Sequence, residues 1–383
     1  MGDDDTTVTS PAPGGAFGPN AWLVDDMYAQ YRADPSSVSE SWREFFADYA
    51  PAGMPDGAAP GPAPPAPPLP SAPVAQAPPA APAPQPVASA PAPAPVAGAP
   101  PAPQAATAAA PGAPLRGAAA RIVANMEASL AVPTATSVRS VPAKLLEVNR
   151  KALNQHLART SGGKVSFTHL IGFAVVRALQ EVPALNASFV PDVDGKGTPG
   201  VDRHHQVGLG LAVDVEKSDG SRTLLVPVIR GAESLDFRGF VIAYEDLVRK
   251  VHTAKATPDD FAGATVTLTN PGTLGTVQSV PRLMAGQGAI VGVGALGYPA
   301  EYQGADRRSL AEVGVGPVVT LTSTYDHRII QGAESGLFLA YVGECLTGEH
   351  GFYESVFAAM DVPYEPVRWQ ADDNAGDSEY RRL

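Results

Sequence analysis

The chain has 383 residues, enough for one large domain or two ordinary ones. Its 40 Pro and 38 Gly fill about a fifth of all positions while 17% are charged and 7% aromatic, so part of the chain must be linker rather than packed globule. A single cysteine, Cys345, excludes an internal disulfide and a cysteine-rich zinc or iron–sulfur site.

No run of 18 apolar residues exists, so no membrane span is expected. The start, MGDDDTTVTS, is acidic and polar, the opposite of a secretory leader, and points to a cytoplasmic protein. The net charge of −12 is uneven: residues 1–50 carry −7, residues 51–115 carry −1 and residues 349–383 carry −5, which leaves +1 for 116–348. A near-neutral centre between acidic ends has no basic face for nucleic acid, and none is expected as a partner.

Residues 1–50 contain one compact island. Asn20 is the expected N-cap of a helix over Ala21–Tyr31, whose bulky stripe is Trp22, Leu23, Met27, Tyr28 and Tyr31. Asp34-Pro35 breaks it, and Ser36 or Ser37 caps a second helix with Trp42, Phe45 and Phe46. Two short helices this aromatic cannot hide all their rings against each other, so the island is read as a docking segment, with a self-packed hairpin as the alternative.

Residues 51–114 are almost all Pro, Ala and Gly with one charge, Asp56. Such a stretch buries too little surface to offset chain entropy and is expected to be a disordered, extended spacer. At roughly 3 Å per residue it spans well over 100 Å when stretched.

A domain-sized block follows, over 115–348. Pro142 opens a helix (Ala143–Arg159) with Leu145, Leu146, Val148, Leu153 and Leu157 at helical spacing. Ser166 or Thr168 caps a buried helix over Leu170–Val182, and Asp236–His252 is an amphipathic one. Gln206–Val215 and Thr223–Ile229 read as strands joined by a polar turn over Glu216–Arg222. Thr265–Thr269, Ala289–Val293 and Val318–Thr324 add three β-rich segments, and a helix runs from Gly332 to Leu346. These elements make an α/β two-layer domain, an antiparallel or mixed sheet with helices outside it.

Seven histidines are available, at 156, 169, 204, 205, 252, 327 and 350, and none has metal-ligand spacing. His156 reads as a surface residue and His169 as a core or cap residue. His204 and His205 fall in a loop before a strand, where substrate contact is open. His327 sits in the run Thr324-Tyr325-Asp326-His327-Arg328 at a strand-to-helix junction, a place that can hold a neutral imidazole in a cleft as a base. Thr269 closes a strand before the turn Asn270-Pro271-Gly272, a rigid corner from which a hydroxyl can donate to an oxyanion. From the residues alone, a capping histidine and a turn threonine are equally readable there.

Long stretches resemble the acyltransferase component of 2-oxo-acid dehydrogenase complexes. They include PTATSVRSVPAKLL, GGKVSFTHLIGFA, AYEDLVRK, TLTNPGTLGTVQSVPRLMAGQGAIVGVGA and LTSTYDHRIIQGAESG. The likeness is strongest to the branch in which a succinyltransferase domain is inserted into a thiamine-dependent 2-oxoglutarate decarboxylase chain. FGPNAWLVDDMYAQYRADPSSVSESWREFF is similar to that branch's N-terminus, and DVPYEPVRW, within 349–383, to the start of its decarboxylase part. The resemblance implies a chloramphenicol-acetyltransferase-like fold, a homotrimer with active channels between subunits, and succinyl transfer between a dihydrolipoyl thioester and coenzyme A in the tricarboxylic acid cycle. His327 matches the family's general base and Thr269 its oxyanion donor, with Gln331, Asp326, Arg328 and Asn270 in support. Many relatives carry Asp or Asn where this chain has Gln331; the branch itself has Gln.

Coenzyme A would be the co-substrate, and the lipoyl group would come from a partner, because no lipoyl-type Asp-Lys pair occurs. No GDG-type thiamine diphosphate motif occurs either, so that cofactor and its magnesium are expected only in the full-length family enzyme, and decarboxylation is not expected of this chain. The implied partners are a lipoyl-domain protein, the 2-oxoglutarate decarboxylase component and dihydrolipoamide dehydrogenase. The alternative to an enzyme is a non-catalytic trimeric scaffold that gathers those partners.

Overall fold

The computed structural model describes residues 21–38, 40–47, 118–216, 222–284 and 286–368. Near the N-terminus lie helices α1 (Ala21–Ala33) and α2 (Glu40–Ala47). Their contact is aromatic: Trp42 lies 5.2 Å from Phe46, and Tyr28 lies 5.3 Å from the same ring. Trp42 and Phe46 are each 3% exposed, and Ala262 packs against this small second core. These two rings are therefore hidden by the hairpin and its own chain. Asn20, the side chains of Trp22 and Leu23, the spacer at 51–114 and the tail from 369 lie outside the described residues.

The main body begins with α3 (Ala118–Ser129), β1 (Thr134–Pro142), α4 (Lys144–Arg159) and α5 (Phe167–Glu181). Then come the short strands β2 (Ala187–Val190), β3 (Gly200–Arg203), β4 (Leu209–Leu211), β5 (Val213–Glu216), β6 (Arg222–Leu225) and β7 (Val228–Ile229). Helix α6 (Phe237–His252), β8 (Val266–Thr269), β9 (Ala289–Val293), α7 (Arg307–Glu312), β10 (Val318–Asp326), α8 (Gly332–Leu346) and α9 (Phe352–Ala359) complete it.

Six strands form one mixed sheet in the order β1-β10-β9-β8-β4-β7. β8 is parallel to both β4 and β9, and the remaining neighbours are antiparallel. Alternation along the strands separates two faces. Leu268, Val291, Leu321 and Tyr325 point into the core beneath the helices, while Thr267, Thr269, Thr322 and Thr324 point the other way. The core face packs on α5 and α8, where Phe173 and Phe338 are almost fully buried. Truncating Phe338 to Ala would cost about 3–5 kcal/mol.

Two expected strands are each broken. Gln206–Val215 divides into β4, which stays in the main sheet, and β5, which pairs with β6 in a separate ribbon. The partner run divides at Pro227, which has no N–H to give a ladder but whose carbonyl accepts from Leu211 N at 2.8 Å. The edge strand β1 and helices α3 and α9 were not expected.

The folded body also runs past residue 348. α9 places Phe352, Tyr353, Val356 and Phe357 in the main core, none more than 2% exposed. Beyond it, the fully buried amide of Asn149 clamps the backbone of Val367, donating to its carbonyl at 2.9 Å and accepting from its N–H at 2.8 Å. Burial pushes the thiol of Cys345 up to about 12, which leaves it unreactive.

Candidate active site

β10 runs between β1 and β9 and delivers its last residue, Asp326, into a nearly closed environment, 2% exposed. Its carboxylate turns back on the chain, accepting from Arg328 N at 3.0 Å and from Arg328 Nε at 2.9 Å. The pair holds the Arg328 guanidinium above its usual range, and the same group stacks over Phe189 at 3.7 Å. This tight loop forces the residue between them, His327, outward, and its N–H is fixed to Pro133 O at 2.9 Å.

The ring of His327 is oriented by one bond. Nδ1 lies 3.1 Å from Ile330 O, and a carbonyl can only accept, so Nδ1 carries the proton. The lone pair is then on Nε2, on an exposed ring at the end of the sheet. An imidazole in this tautomer can take a proton from a thiol. Gln331 does not share in that arrangement. It is the N-cap of α8, its N–H donating to Glu334 Oε2 at 2.7 Å, and no hydrogen bond joins its amide to His327 among the described residues.

Thr269 ends β8 on the sheet's open face. It borders a cavity of about 360 Å³ together with Ile122, Asn125 and Met126 from α3, and with Thr267, Arg282 and Met284. Asn270 Nδ2 donates to Thr168 Oγ1 at 2.7 Å, which ties the following turn to α5. Gly272 is required there, because a Cβ would sit 2.3 Å from the backbone of Gly294. The strand end, the tie and the close backbone contact make Thr269 a rigid donor.

The structure does not bring His327 and Thr269 together within one chain. Thr269 is in register with Gly292, and Gly292 with Thr322, five residues before His327. At strand spacing this is about 16 Å along the sheet and about 10 Å across it. Asp326 and Arg328 gather at His327, and Asn270 at Thr269, so the site residues form two groups at opposite ends of the sheet.

Two of the remaining histidines, His169 and His204, hold structure. His169 N donates to Ser166 Oγ at 3.1 Å, and Ser166 N donates to His169 Nδ1 at 3.3 Å, a reciprocal cap at the start of α5. His204 Nε2 lies 2.7 Å from Ser188 Oγ, whose proton is committed to Gly286 O at 2.7 Å, so His204 donates and Ser188 is not activated. The nearby Asp202, 3.8 Å from the other ring nitrogen, does not alter this. Among the described residues no group of three or more His, Cys, Asp and Glu could hold a metal ion. No helix among them is long and apolar enough to cross a membrane.

Sequence reasoning missed three contributors: Pro133, whose carbonyl holds His327, Phe189 beneath Arg328, and Arg282 beside Thr269. None has a pattern of its own in the sequence.

Comparison with known proteins agrees with this fold. Residues 109–351 match the 2-oxoacid dehydrogenases acyltransferase (catalytic domain) family, and residues 16–53 match the 2-oxoglutarate dehydrogenase N-terminus. The chain is 50% identical over 398 aligned positions to the multifunctional 2-oxoglutarate metabolism enzyme of Mycolicibacterium vanbaalenii, covering 96% of this chain and 30% of that protein. It is 49% identical to the protein of that name from Mycobacterium sp. strain JLS, covering 95% and 31%. It therefore spans about 30% of the length of the curated relatives it matches. Among solved structures, it is similar to a probable dihydrolipoamide acetyltransferase from Listeria monocytogenes, with TM-score 0.52 and 24% identity over 68% of this chain and all of that one. It is also similar to the dihydrolipoamide acetyltransferase of Azotobacter vinelandii, with TM-score 0.51 and 27% identity over 68% of this chain and 99% of that one. A two-layer body carrying an outward histidine after β10 and a rigid threonine after β8, matched across 109–351, belongs to the acyltransferase family of the 2-oxoacid dehydrogenases.

Proposed function

We propose that the chain transfers a succinyl group between a dihydrolipoyl thioester and coenzyme A. The observation that carries this reading is the His327 tautomer, with Nδ1 committed to Ile330 O and Nε2 left free to accept a proton. His327 Nε2 takes the proton of the coenzyme A thiol, which has an ordinary pKa near 8.5 and is mostly protonated at neutral pH. The thiolate attacks the thioester carbonyl carbon, and Thr269 Oγ donates to the oxyanion that forms. Collapse breaks the bond to the lipoyl sulfur, which leaves with the proton that His327 had taken.

One chain cannot supply both groups, because the register sets them about 20 Å apart. The active site is therefore composite, His327 from one copy facing Thr269 from another, which fits a homotrimer with channels between subunits. The solved Azotobacter acetyltransferase supports the assignment: a serine, a histidine and an asparagine four residues further on have a role in its catalytic mechanism. Thr269, His327 and Gln331 follow the same order and the same four-residue step.

Succinyl is favoured as the acyl group because the relatives at 49–50% identity are named for 2-oxoglutarate metabolism, whose decarboxylation leaves a succinyl unit. The lipoyl group would arrive on a partner protein, beside a 2-oxoglutarate decarboxylase component and dihydrolipoamide dehydrogenase, in the cytoplasm. Residues 1–50 would serve in docking, and 349 onward would begin the connection to a decarboxylase part. Thiamine diphosphate and magnesium would belong to the decarboxylase part of a full-length enzyme, and acyl transfer needs neither.

The test is a coenzyme A assay on purified protein with succinyl- and acetyl-dihydrolipoamide. Succinyl-coenzyme A formation in preference to acetyl-coenzyme A is expected. A trimer that transfers neither would leave only the scaffold reading.

A further inference from the structure

The cavity beside Thr269 is lined by apolar groups on most sides, with Asn125, Thr267 and Thr269 as its neutral polar members. One lining side chain is charged, Arg282. Among the described residues no carboxylate pairs with it. Its backbone is nevertheless held firmly. Leu283 beside it is 1% exposed, and Ser279 O, three residues earlier, accepts from Thr322 Oγ1 at 2.9 Å. A guanidinium is thus presented at the rim of an apolar cavity, next to the proposed oxyanion donor, with no carboxylate among the described residues to neutralise it.

We infer that Arg282 reads the free carboxylate of the transferred acyl group, so that the cavity selects short acyl chains ending in a carboxylate over neutral ones. This rests on Thr269 being the oxyanion donor and names what recognises the substrate there. In a succinyl thioester the carboxylate carbon follows the carbonyl carbon by three C–C bonds, roughly 4 Å through space. A thioester held at Thr269 therefore keeps its carboxylate within the same cavity that Arg282 borders. The planar guanidinium offers parallel N–H donors that match a carboxylate, and apolar walls strengthen the pairing by excluding water. A neutral acyl chain of equal length gains no such partner. The preference therefore acts on the acyl end and not on the thiol.

The test uses the full chain and two donors of equal carbon number, succinyl- and butyryl-dihydrolipoamide, and reads the ratio of their kcat/KM values. Any effect on coenzyme A binding or on folding is common to both donors and cancels in the ratio. Arg282→Gln is expected to lower the succinyl-to-butyryl ratio by about 10- to 100-fold, the usual worth of a bond to a charged group. Arg282→Lys keeps the charge without the fork and is expected to fall between. An unchanged ratio in Arg282→Gln overturns the inference while leaving acyl transfer intact, and a raised KM for coenzyme A alongside it would place the guanidinium on that cofactor's phosphates. Wild-type protein that moves neither acyl group overturns the acyl-transfer reading and this inference with it.

Discussion

The Nδ1 atom of His327 lies 3.1 Å from the carbonyl oxygen of Ile330, inside the turn that carries the chain from β10 to α8. That contact sets which nitrogen can act as a base. It is itself secured by the Asp326–Arg328 pair and by Pro133, so the reactive ring is oriented by backbone and buried charge and not by its neighbour Gln331.

Replacing His327 with Ala is expected to lower turnover by about 10²- to 10⁴-fold, the usual worth of a placed general base. The deficit should shrink as pH approaches the thiol's own pKa, near 8.5, because coenzyme A then ionises unaided. Turnover measured between pH 6.5 and 9 checks this. Thr269→Ala should lose activity without that recovery, since it touches only the oxyanion.

Gln331→Asp separates a capping role from a catalytic one. Asp is a better N-cap than Gln, so the variant should be more stable, by up to about 1 kcal/mol in thermal or urea unfolding. The acidic limb of the rate profile should stay in place, because the amide it replaces makes no bond to the imidazole. An upward move of that limb would show a carboxylate at position 331 acting on His327.

His169 supplies a pH dependence of stability. Burial pushes its imidazole down to about 4, and protonation of Nδ1 would also break the cap it accepts from Ser166. Glu245 lies 3.1 Å from the other ring nitrogen but is half exposed, so water screens it and burial wins. The unfolded chain, with an ordinary histidine near 6.5, takes up a proton that the folded chain refuses. Stability is thus complete above pH 6.5 and falls as pH drops towards 4, by on the order of 3 kcal/mol. His169→Gln keeps an S-x-x-Q capping box without a titrating ring. Unfolding midpoints between pH 4 and 7 should fall less steeply for it than for the wild type.

The C-terminal boundary can be tested by truncation. A chain ending at Gly348 loses α9 and opens the core where Phe352, Tyr353 and Phe357 sit, so it should fail to fold or should aggregate. A chain ending at Trp369 should fold. Asn149→Ala in that chain removes both bonds to Val367 and should cost about 1–3 kcal/mol in urea unfolding.

Much of this architecture can be read from periodicity. The runs that became α4, α5, α6 and α8 carry buried apolar residues at helical spacing, and Ala289–Val293 forms a strand over those same residues. Legibility fails where tertiary pairing decides. Gln206–Val215 looks like one strand until Ala212 N bonds to Leu268 O and the chain departs for a second ribbon. Thr134–Pro142 is an exposed edge whose strand character comes from its full-length pairing with β10. His327 and Thr269 were visible as motifs, but their separation depends on the register across three strands, which no local pattern encodes. Arg282 is conspicuous only once a cavity is known to lie beside it.

The composite site is tested most directly by mixing two inactive chains. His327→Ala and Thr269→Ala chains, co-expressed with different tags and purified as mixed trimers, assemble some sites from the intact half of each. Each mixed trimer, two copies of one variant and one of the other, has one site in three that combines an intact His327 with an intact Thr269, so activity should return to about a third of the wild-type value. Mixed trimers no more active than either parent would contradict a site shared between copies.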